Sequence, residues 1–436
     1  MNRRFLVVIL SLFAGLSLTS CGSSAKHGPP SGLQYRVLAS QGVTATQTFG
    51  GLVLVNAEYD ILTGRAPIGA GSSPGLMAIS PTRNPVAAFD QSSNTVYAVD
   101  TTKEADIGHV QLPGSTSSMV IPTASSTGYA AVPSAPVNGY PVVGAVEVMN
   151  LSAGSVTAAI AVTNAQTVVS NSTGTELLVF SNDSDSVTVL SPVLAVPPVD
   201  TSCLTNPPNA VCTIVPGFNR PVYAIVNDST AYVLNCGLQC GGTKQASVAV
   251  FDLGSLSITQ TIPVDAATWA FLSGSTLYVA GTSPTNNACT GQTTAAKTCG
   301  RLDILDLGSM TVTKSYVITD GYHDRMDMSS NGQLFIGSYD CTNIGNANSP
   351  SGEVRGCLSI LNTTTDKIVI PPDNGDVNGL QSFSTRYIEY VAEGGNLRVY
   401  DTTKDILYIN TYNDYLPTGT IPIVGYVGDV KAIDFF

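Results

Sequence analysis

The sequence predicts an all-β fold assembled from repeated four-stranded antiparallel units, and three observations predict it. An Asp or Asn recurs at the end of a β-rich run, a polar turn and an apolar residue follow it at fixed distance, and no segment between the runs carries a helical period. The two most similar copies are Val250-Phe251-Asp252-Leu253-Gly254-Ser255 and Ile304-Leu305-Asp306-Leu307-Gly308-Ser309. These signals describe a scaffold; they do not name a ligand.

Residues 1–20 read as a signal peptide rather than as fold. Arg3 and Arg4 supply a positive end, and the apolar stretch from Phe5 to Leu18 is too short and too poorly flanked to span a bilayer. Leu18-Thr19-Ser20-Cys21 then resembles a bacterial lipobox, which would make Cys21 the lipidated first residue of the mature chain. The alternative is an ordinary secretory signal followed by an unrelated cysteine. Gly22, not Asp, follows the cysteine, which favours the outer membrane in a cell with two membranes. Residues 21–32, rich in Gly, Ser and Pro, read as a flexible tether, and 33–436 as one domain.

Composition agrees with export. Charged residues make up 11% of the chain, against about a quarter in ordinary soluble proteins, and uncharged polar residues fill their places. The net charge of −12 becomes −14 once Arg3 and Arg4 are removed, which argues against nucleic acid as a partner.

Seven copies of the repeat carry their marker at Asn56, Asp100, Asn150, Asp252, Asp306, Asn362 and Asp401; an eighth, near Ser191, has lost it. An Asx side chain accepts a hydrogen bond from the backbone two residues on and closes a turn. Six residues after the markers come Leu62, Asp106, Val156, Ile258, Val312, Ile368 and Leu407, each expected to start the returning strand, with Ile107 expected to take the place of Asp106. Upstream of each marker lies another pair of strands, such as Trp269-Ala270-Phe271-Leu272 and Thr276-Leu277-Tyr278-Val279-Ala280 around a Ser273-Gly274-Ser275 turn. Units of four short strands at a period of roughly 40 to 60 residues are the blades of a β-propeller.

On these residues the chain resembles the bacterial YVTN-type β-propeller repeats, whose units carry a "YV" strand, a "V.D" strand and an "IPVG" strand. The matching stretches are Val96-Tyr97-Ala98-Val99-Asp100, Leu277-Tyr278-Val279, Thr261-Ile262-Pro263-Val264 and Ala66-Pro67-Ile68-Gly69. The resemblance covers essentially all of 33–436 and implies a fold; its motifs are structural and imply no activity.

Residues 35–69 supply three strands and lack a first one, while Gly428-Asp429-Val430-Lys431-Ala432-Ile433-Asp434-Phe435 reads as a first strand with nothing after it. The expected arrangement is therefore eight blades, one shared between the two ends, or seven if 186–217 is an elaboration outside any blade.

Eight cysteines besides Cys21 form an even set suited to an oxidising compartment. We expect them to pair as near neighbours: Cys203 with Cys212, Cys236 with Cys240, Cys289 with Cys299, and Cys341 with Cys357. Each pair falls within one loop flanked by strands of a single repeat. A metal site is the alternative, disfavoured by irregular spacing and the lack of nearby His. Three of the pairs follow second strands in successive units, and a Pro-rich excursion at Val132 to Gly144 belongs to the same side; Cys203 and Cys212 follow a third strand and belong opposite.

Catalytic groups are scarce. His27 lies in the tether and His109 at a strand edge. His323, in Asp320-Gly321-Tyr322-His323-Asp324-Arg325, enters a first strand and approaches the channel mouth, where His323, Asp324 and Arg325 are candidate catalytic residues. Asp320, Tyr322, Asp376 and Asn378 are candidate binding residues, with Asp373 beside them. A hydrogen-bonded structural loop is the competing reading. No nucleophile elbow, phosphate-binding loop or zinc helix appears, and Asn182-Asp183-Ser184-Asp185 reads as a hairpin turn rather than a calcium loop. Trp269, the single tryptophan, Phe271, Tyr278, Phe335 and Tyr390 read as blade packing.

The expectation is a lipid-anchored envelope module that binds a protein or glycan through its cross-linked loop face, with no metal and no cofactor. The alternative is a propeller-type lactonase or lyase working at the channel mouth.

Overall fold

The computed structural model describes residues 29–137, 143–191, 201–203, 212–283, 299–341, 356–371, 375–403 and 418–434. Within them eight antiparallel β-sheets form a ring with almost no helix. Blade 1 consists of Arg36–Gln41, Gly51–Asn56 and Ile61–Leu62, with Val430–Ala432 paired antiparallel on the inner side of Arg36–Gln41, Val37 opposite Ala432. Blades 2 to 8 span 74–111, 118–161, 165–216, 221–263, 269–318, 322–369 and 377–421. The segment that left seven blades open belongs to blade 4, whose third and fourth strands are Ser186–Leu190 and Cys212–Pro216.

Burial follows from the alternation of the strands, which sends apolar side chains to both faces of every sheet. Eight apolar clusters result, each shared by two neighbouring blades. One joins Val37, Ala39 and Val55 of blade 1 to Phe383, Tyr390 and Leu397 of blade 8. Alanines fill many of these positions, including Ala87, Ala98, Ala130 and Ala145 between blades 2 and 3, so adjacent sheets approach closely. The first strands of successive blades contact one another around the ring and surround a central channel.

The seven markers all occupy the last position of a third strand. Each Oδ1 accepts hydrogen bonds from the following turn: Glu58 N to Asn56 at 2.9 Å, Thr102 N to Asp100 at 2.9 Å, Ala153 N to Asn150 at 2.9 Å, Ser255 N to Asp252 at 2.7 Å, Ser309 N to Asp306 at 2.6 Å, Thr364 N to Asn362 at 3.0 Å and Thr403 N to Asp401 at 2.9 Å. The apolar residue six places on returns opposite the third strand, as Val156 does to Met149 and Val312 to Leu305. One expectation is corrected: Asp106 keeps that place opposite Val99, and Ile107 falls on a bulge, packing only partly against the core. Leu407 lies outside the described residues.

Because the strands alternate in direction, the Asx turns and the first-to-second-strand turns share one face, here the turn face. Second-to-third-strand loops and inter-blade connections share the other, the loop face. Cys236–Cys240 and Cys341–Cys357 are disulfides on the loop face, in blades 5 and 7. Cys299 of blade 6, between them, is also disulfide-bonded; Cys289, its expected partner, lies outside the described residues. Cys203–Cys212 closes the connection that leaves the turn-face end of the third strand of blade 4, and Thr201–Ser202, just before it, pairs in parallel with Ile160–Ala161 near the loop-face end of the outer strand of blade 3. The Pro-rich excursion is largely regular: Thr127–Pro136 and Val143–Asn150 extend as paired strands, Pro136 opposite Val143.

Candidate functional site: the channel mouth on the loop face

Antiparallel pairing would leave the channel lined by strand edges alone, but bulges alter that. In blades 4, 5, 7 and 8 the register between first and second strands slips near the loop-face end, at Ala165/Thr167, Pro221/Tyr223, His323/Arg325 and Val377/Gly379. A bulge leaves one residue unpaired and re-aims its side chain. The residues skipped are Gln166, Val222, Asp324 and Asn378. The first three line a cavity of about 550 Å³ at the loop-face mouth.

Four aromatic residues from blades 5 to 7 join them in the lining: Tyr223, Trp269, Tyr322 and Tyr339. Tyr223 and Trp269 stack with ring centroids 3.8 Å apart and planes at 18°, and Tyr322 and Tyr339 lie 5.3 Å apart. Trp269, expected in core or blade packing, packs on blade 5 through Tyr223 and also lines the cavity. It opens a first strand at its loop-face end, with Tyr223 of blade 5 over one face of its ring. Phe271, Tyr278, Phe335 and Tyr390 do pack between blades.

Asp324 and Arg325 form an ion pair in the wall, Nη1 to Oδ2 at 3.0 Å, their side chains 24% and 23% accessible. Arg325 Nε also donates to the Asn378 carbonyl at 3.0 Å. Burial raises the Asp324 pKa, Arg325 offsets part of that, and Asp429 adds to it. For Arg325 burial disfavours the charge, but Asp324 and Asp429 outweigh it and hold the guanidinium above its usual value. Among the described residues Asp324 Oδ1 has no hydrogen-bond partner. Burial pushes Tyr223 and Tyr339 up to about 12 and Tyr322 further, so all three phenols are neutral donors at physiological pH. On the adjoining arc, Asn182 Nδ2 donates to Gln166 Oε1 at 3.0 Å, and Gln166 Nε2 donates to Ser117 Oγ at 2.9 Å.

The remaining candidates separate. His323 is fully buried, its ring nitrogens make no hydrogen bond of good geometry, and burial pushes its pKa down to about 4. Asp320 is buried as well, 2% exposed. Asp376 Oδ1 accepts from the Asp340 backbone N–H at 3.0 Å, and Asn378 Nδ2 donates to Tyr426 Oη at 2.9 Å, so both brace loop-face connections. Of the site candidates, Tyr322, Asp324 and Arg325 come together in the cavity. His109, exposed, lies 5.7 Å from Tyr97 on the outer part of blade 2. Cys21, His27 and Asp373 lie outside the described residues. Among the described residues no group of three or more His, Cys, Asp or Glu side chains is placed to hold a metal ion.

Deeper in the channel the charges are held more tightly. Asp429 accepts from the Met77 and Val430 backbone N–H groups and from Lys431 Nζ at 2.8 to 2.9 Å. Asp327 accepts from Ser382 N at 2.7 Å and Met328 N at 2.8 Å. Glu389 is completely buried, with its pKa raised by burial and by Asp327. The turn-face mouth is a second cavity of about 540 Å³ lined by Ser80, Arg83, Ile121 and Ser170 among others, and Met119 and Val120 line both cavities.

Fold and site together define an eight-bladed β-propeller with disulfides consistent with export. Among the described residues no helix is long and apolar enough to cross a membrane. No protein-family model and no curated protein matches the chain. Solved structures do. The dihydro-heme d1 dehydrogenase NirN is similar at TM-score 0.62 and 12% identity, over 95% of this chain and 78% of that one. The Dos1 propeller is similar at TM-score 0.56 and 10% identity, over 83% and 87%. The periplasmic gluconolactonase PpgL of Pseudomonas aeruginosa aligns at TM-score 0.48 and 15% identity, over 92% and 99%. At these identities the likeness to NirN and to the Dos1 propeller is one of fold.

Proposed function

We propose that this chain is an exported binding module, carried by lipid on Cys21 in the cell envelope, most simply at the outer membrane, and that its loop face engages a protein or glycan. The observation that supports it most is a coincidence on three adjacent blades. Blades 5, 6 and 7 carry disulfide-bonded cysteines on the loop face, and the same blades supply the aromatic lining of the cavity open to that face. Loops on a rigid scaffold are the usual carriers of recognition, and cross-linking lowers the cost of ordering them on binding.

The test is affinity capture from the native envelope, with the domain from Gly32 onward as bait, its disulfides formed. A second bait has the chain between Cys341 and Cys357 trimmed. A partner retained only by the intact domain supports the reading; equal capture by both would remove the loop face from it.

Asp324 supports a second reading, that of a propeller-type lactonase or lyase, because a carboxyl with a raised pKa beside a guanidinium suits general acid–base chemistry. His323, walled off from the cavity, would not touch the substrate. Loss of a discovered activity in Asp324→Asn, with His323→Gln retaining it, would favour that enzyme.

A further inference from the structure

The cavity at the loop-face mouth has a lining whose composition selects among ligand classes. One arc is aromatic, with Tyr223, Trp269, Tyr322 and Tyr339; the adjoining arc is a chain of amide and hydroxyl groups, Asn182 to Gln166 to Ser117. No hydrogen bond within the described residues engages the three phenol hydroxyls or the Trp269 indole N–H. An anionic ligand such as a phosphate or a nucleotide finds a single cation in the described lining, Arg325, and that one is already paired with Asp324 at 3.0 Å in a chain of net charge −12. A purely apolar ligand would cover the rings but strand the donors around them, desolvating each without a partner. A ligand with C–H faces for the rings and hydroxyls at its rim satisfies both arcs. The volume, about 550 Å³, is that of an ordinary small-ligand site.

We infer that the loop-face mouth is a carbohydrate site that takes the end of a neutral glycan, its sugar rings against Tyr223, Trp269, Tyr322 and Tyr339 and its hydroxyls on Asn182, Gln166 and the Asp324–Arg325 pair. This rests on the binding-module reading and chooses the glycan over the protein. The ion pair serves such a ligand in both directions: the Arg325 guanidinium donates and the Asp324 carboxylate accepts. A neutral ligand also leaves the pair intact.

Trp269 is the single tryptophan of the chain, so its emission reports directly on this cavity. The experiment titrates the domain with neutral oligosaccharides (gluco-, manno- and N-acetylglucosamine hexamers) and with oligogalacturonate as the acidic probe, and follows Trp269 fluorescence at low and high salt. At least one neutral hexamer is expected to give a saturable shift that salt does not alter. Tyr322→Ala should weaken it tenfold or more, and Tyr322→Phe, which keeps the ring, by less. Calorimetry on both variants, with melting temperatures as a control for folding, separates loss of the site from loss of fold. A shift given by oligogalacturonate alone and abolished by salt overturns the inference, and so does no shift from any probe. Sugar binding that survives Tyr322→Ala but disappears when the chain between Cys341 and Cys357 is trimmed also overturns it, while leaving the loop-face module standing. Protein capture by the loop face without any sugar response leaves the module and removes the glycan.

Discussion

The two faces of the ring are built by different rules. On the turn face seven connections repeat one device, an Asx oxygen at the end of the third strand accepting from the turn that follows. On the loop face the second-to-third-strand connections run from the two glycines 394–395 of blade 8 to residues 340–357 of blade 7. On the turn face the seven marker oxygens all accept hydrogen bonds from the turns that follow them, while Asp327 and Glu389, at the turn-face ends of their strands, are buried with raised pKa. The loop face holds several ionisable groups in burial that disfavours their charge, among them His323, Asp324 and Glu393. The repeat therefore protects the face that sets strand register and leaves the other free to carry recognition.

The largest test of this contrast lies at the seam. Val430–Ala432 is the inner strand of blade 1, and Asp434 next to it accepts from Arg36, which also bonds Glu104 and the Thr101 carbonyl on the turn face. Deleting 428–436 is expected to abolish the single cooperative melt of the domain, because two apolar clusters lose members and an edge opens. A truncated chain that still melts cooperatively within a few degrees of the full one would show that the seam is not part of the closed fold.

Next in size is the pH response of the loop face. Burial raises Glu393 to about 7, with Tyr400 and Arg398 pulling the other way, so its stabilising share is complete below about pH 4.5 and is lost as pH rises through about 7. His323, held near 4 by burial, acts oppositely: its share is complete above about pH 6.5 and is lost as pH falls through about 4. The two offset each other between, and the Glu393 loss remains above pH 6.5. Denaturant unfolding of Glu393→Gln against wild type should show a stability difference that shifts in favour of the variant by roughly 3 kcal/mol from pH 4.5 to pH 8. A difference constant with pH would mean that Glu393 is ionised throughout.

The smallest effect should be the most uniform. Asp252→Ala and Asp306→Ala remove equivalent turn-closing acceptors, and each is expected to lower the melting temperature by a similar small amount. Ser191→Ala in blade 4, where the marker is missing and the hydroxyl donates to Glu176 instead, should cost less. Unequal costs for the first two would break the equivalence on which the turn-face description rests.

The same contrast explains what was legible in the sequence. The markers could be read because an Asx turn is a local device, decided by residues within a few positions of one another. The eight blades followed from counting them. The cavity could not be read that way, because Gln166, Val222 and Asp324 enter it through bulges, and a one-residue slip turns a side chain to a different side without changing composition. Trp269 was legible only in part for a related reason: it stacks on Tyr223 of the neighbouring blade, as the packing expectation has it, and also lines the cavity. An aromatic residue in a strand looks the same whether the next sheet or an empty channel lies over it. His323 failed in the reverse sense, since its neighbours Asp324 and Arg325 face the cavity while it turns into the blade.

The strand Arg36–Gln41 is entered from the turn face, where Ser31 hydrogen-bonds Glu104 and the chain continues back toward residue 21. Eight residues from Cys21 to Pro29 reach at most about 28 Å. Were Cys21 lipidated as proposed, a tether of that length would hold the turn face nearer the membrane than the loop face. The aromatic mouth would then open on the side away from the lipid, toward what approaches from beyond the bilayer.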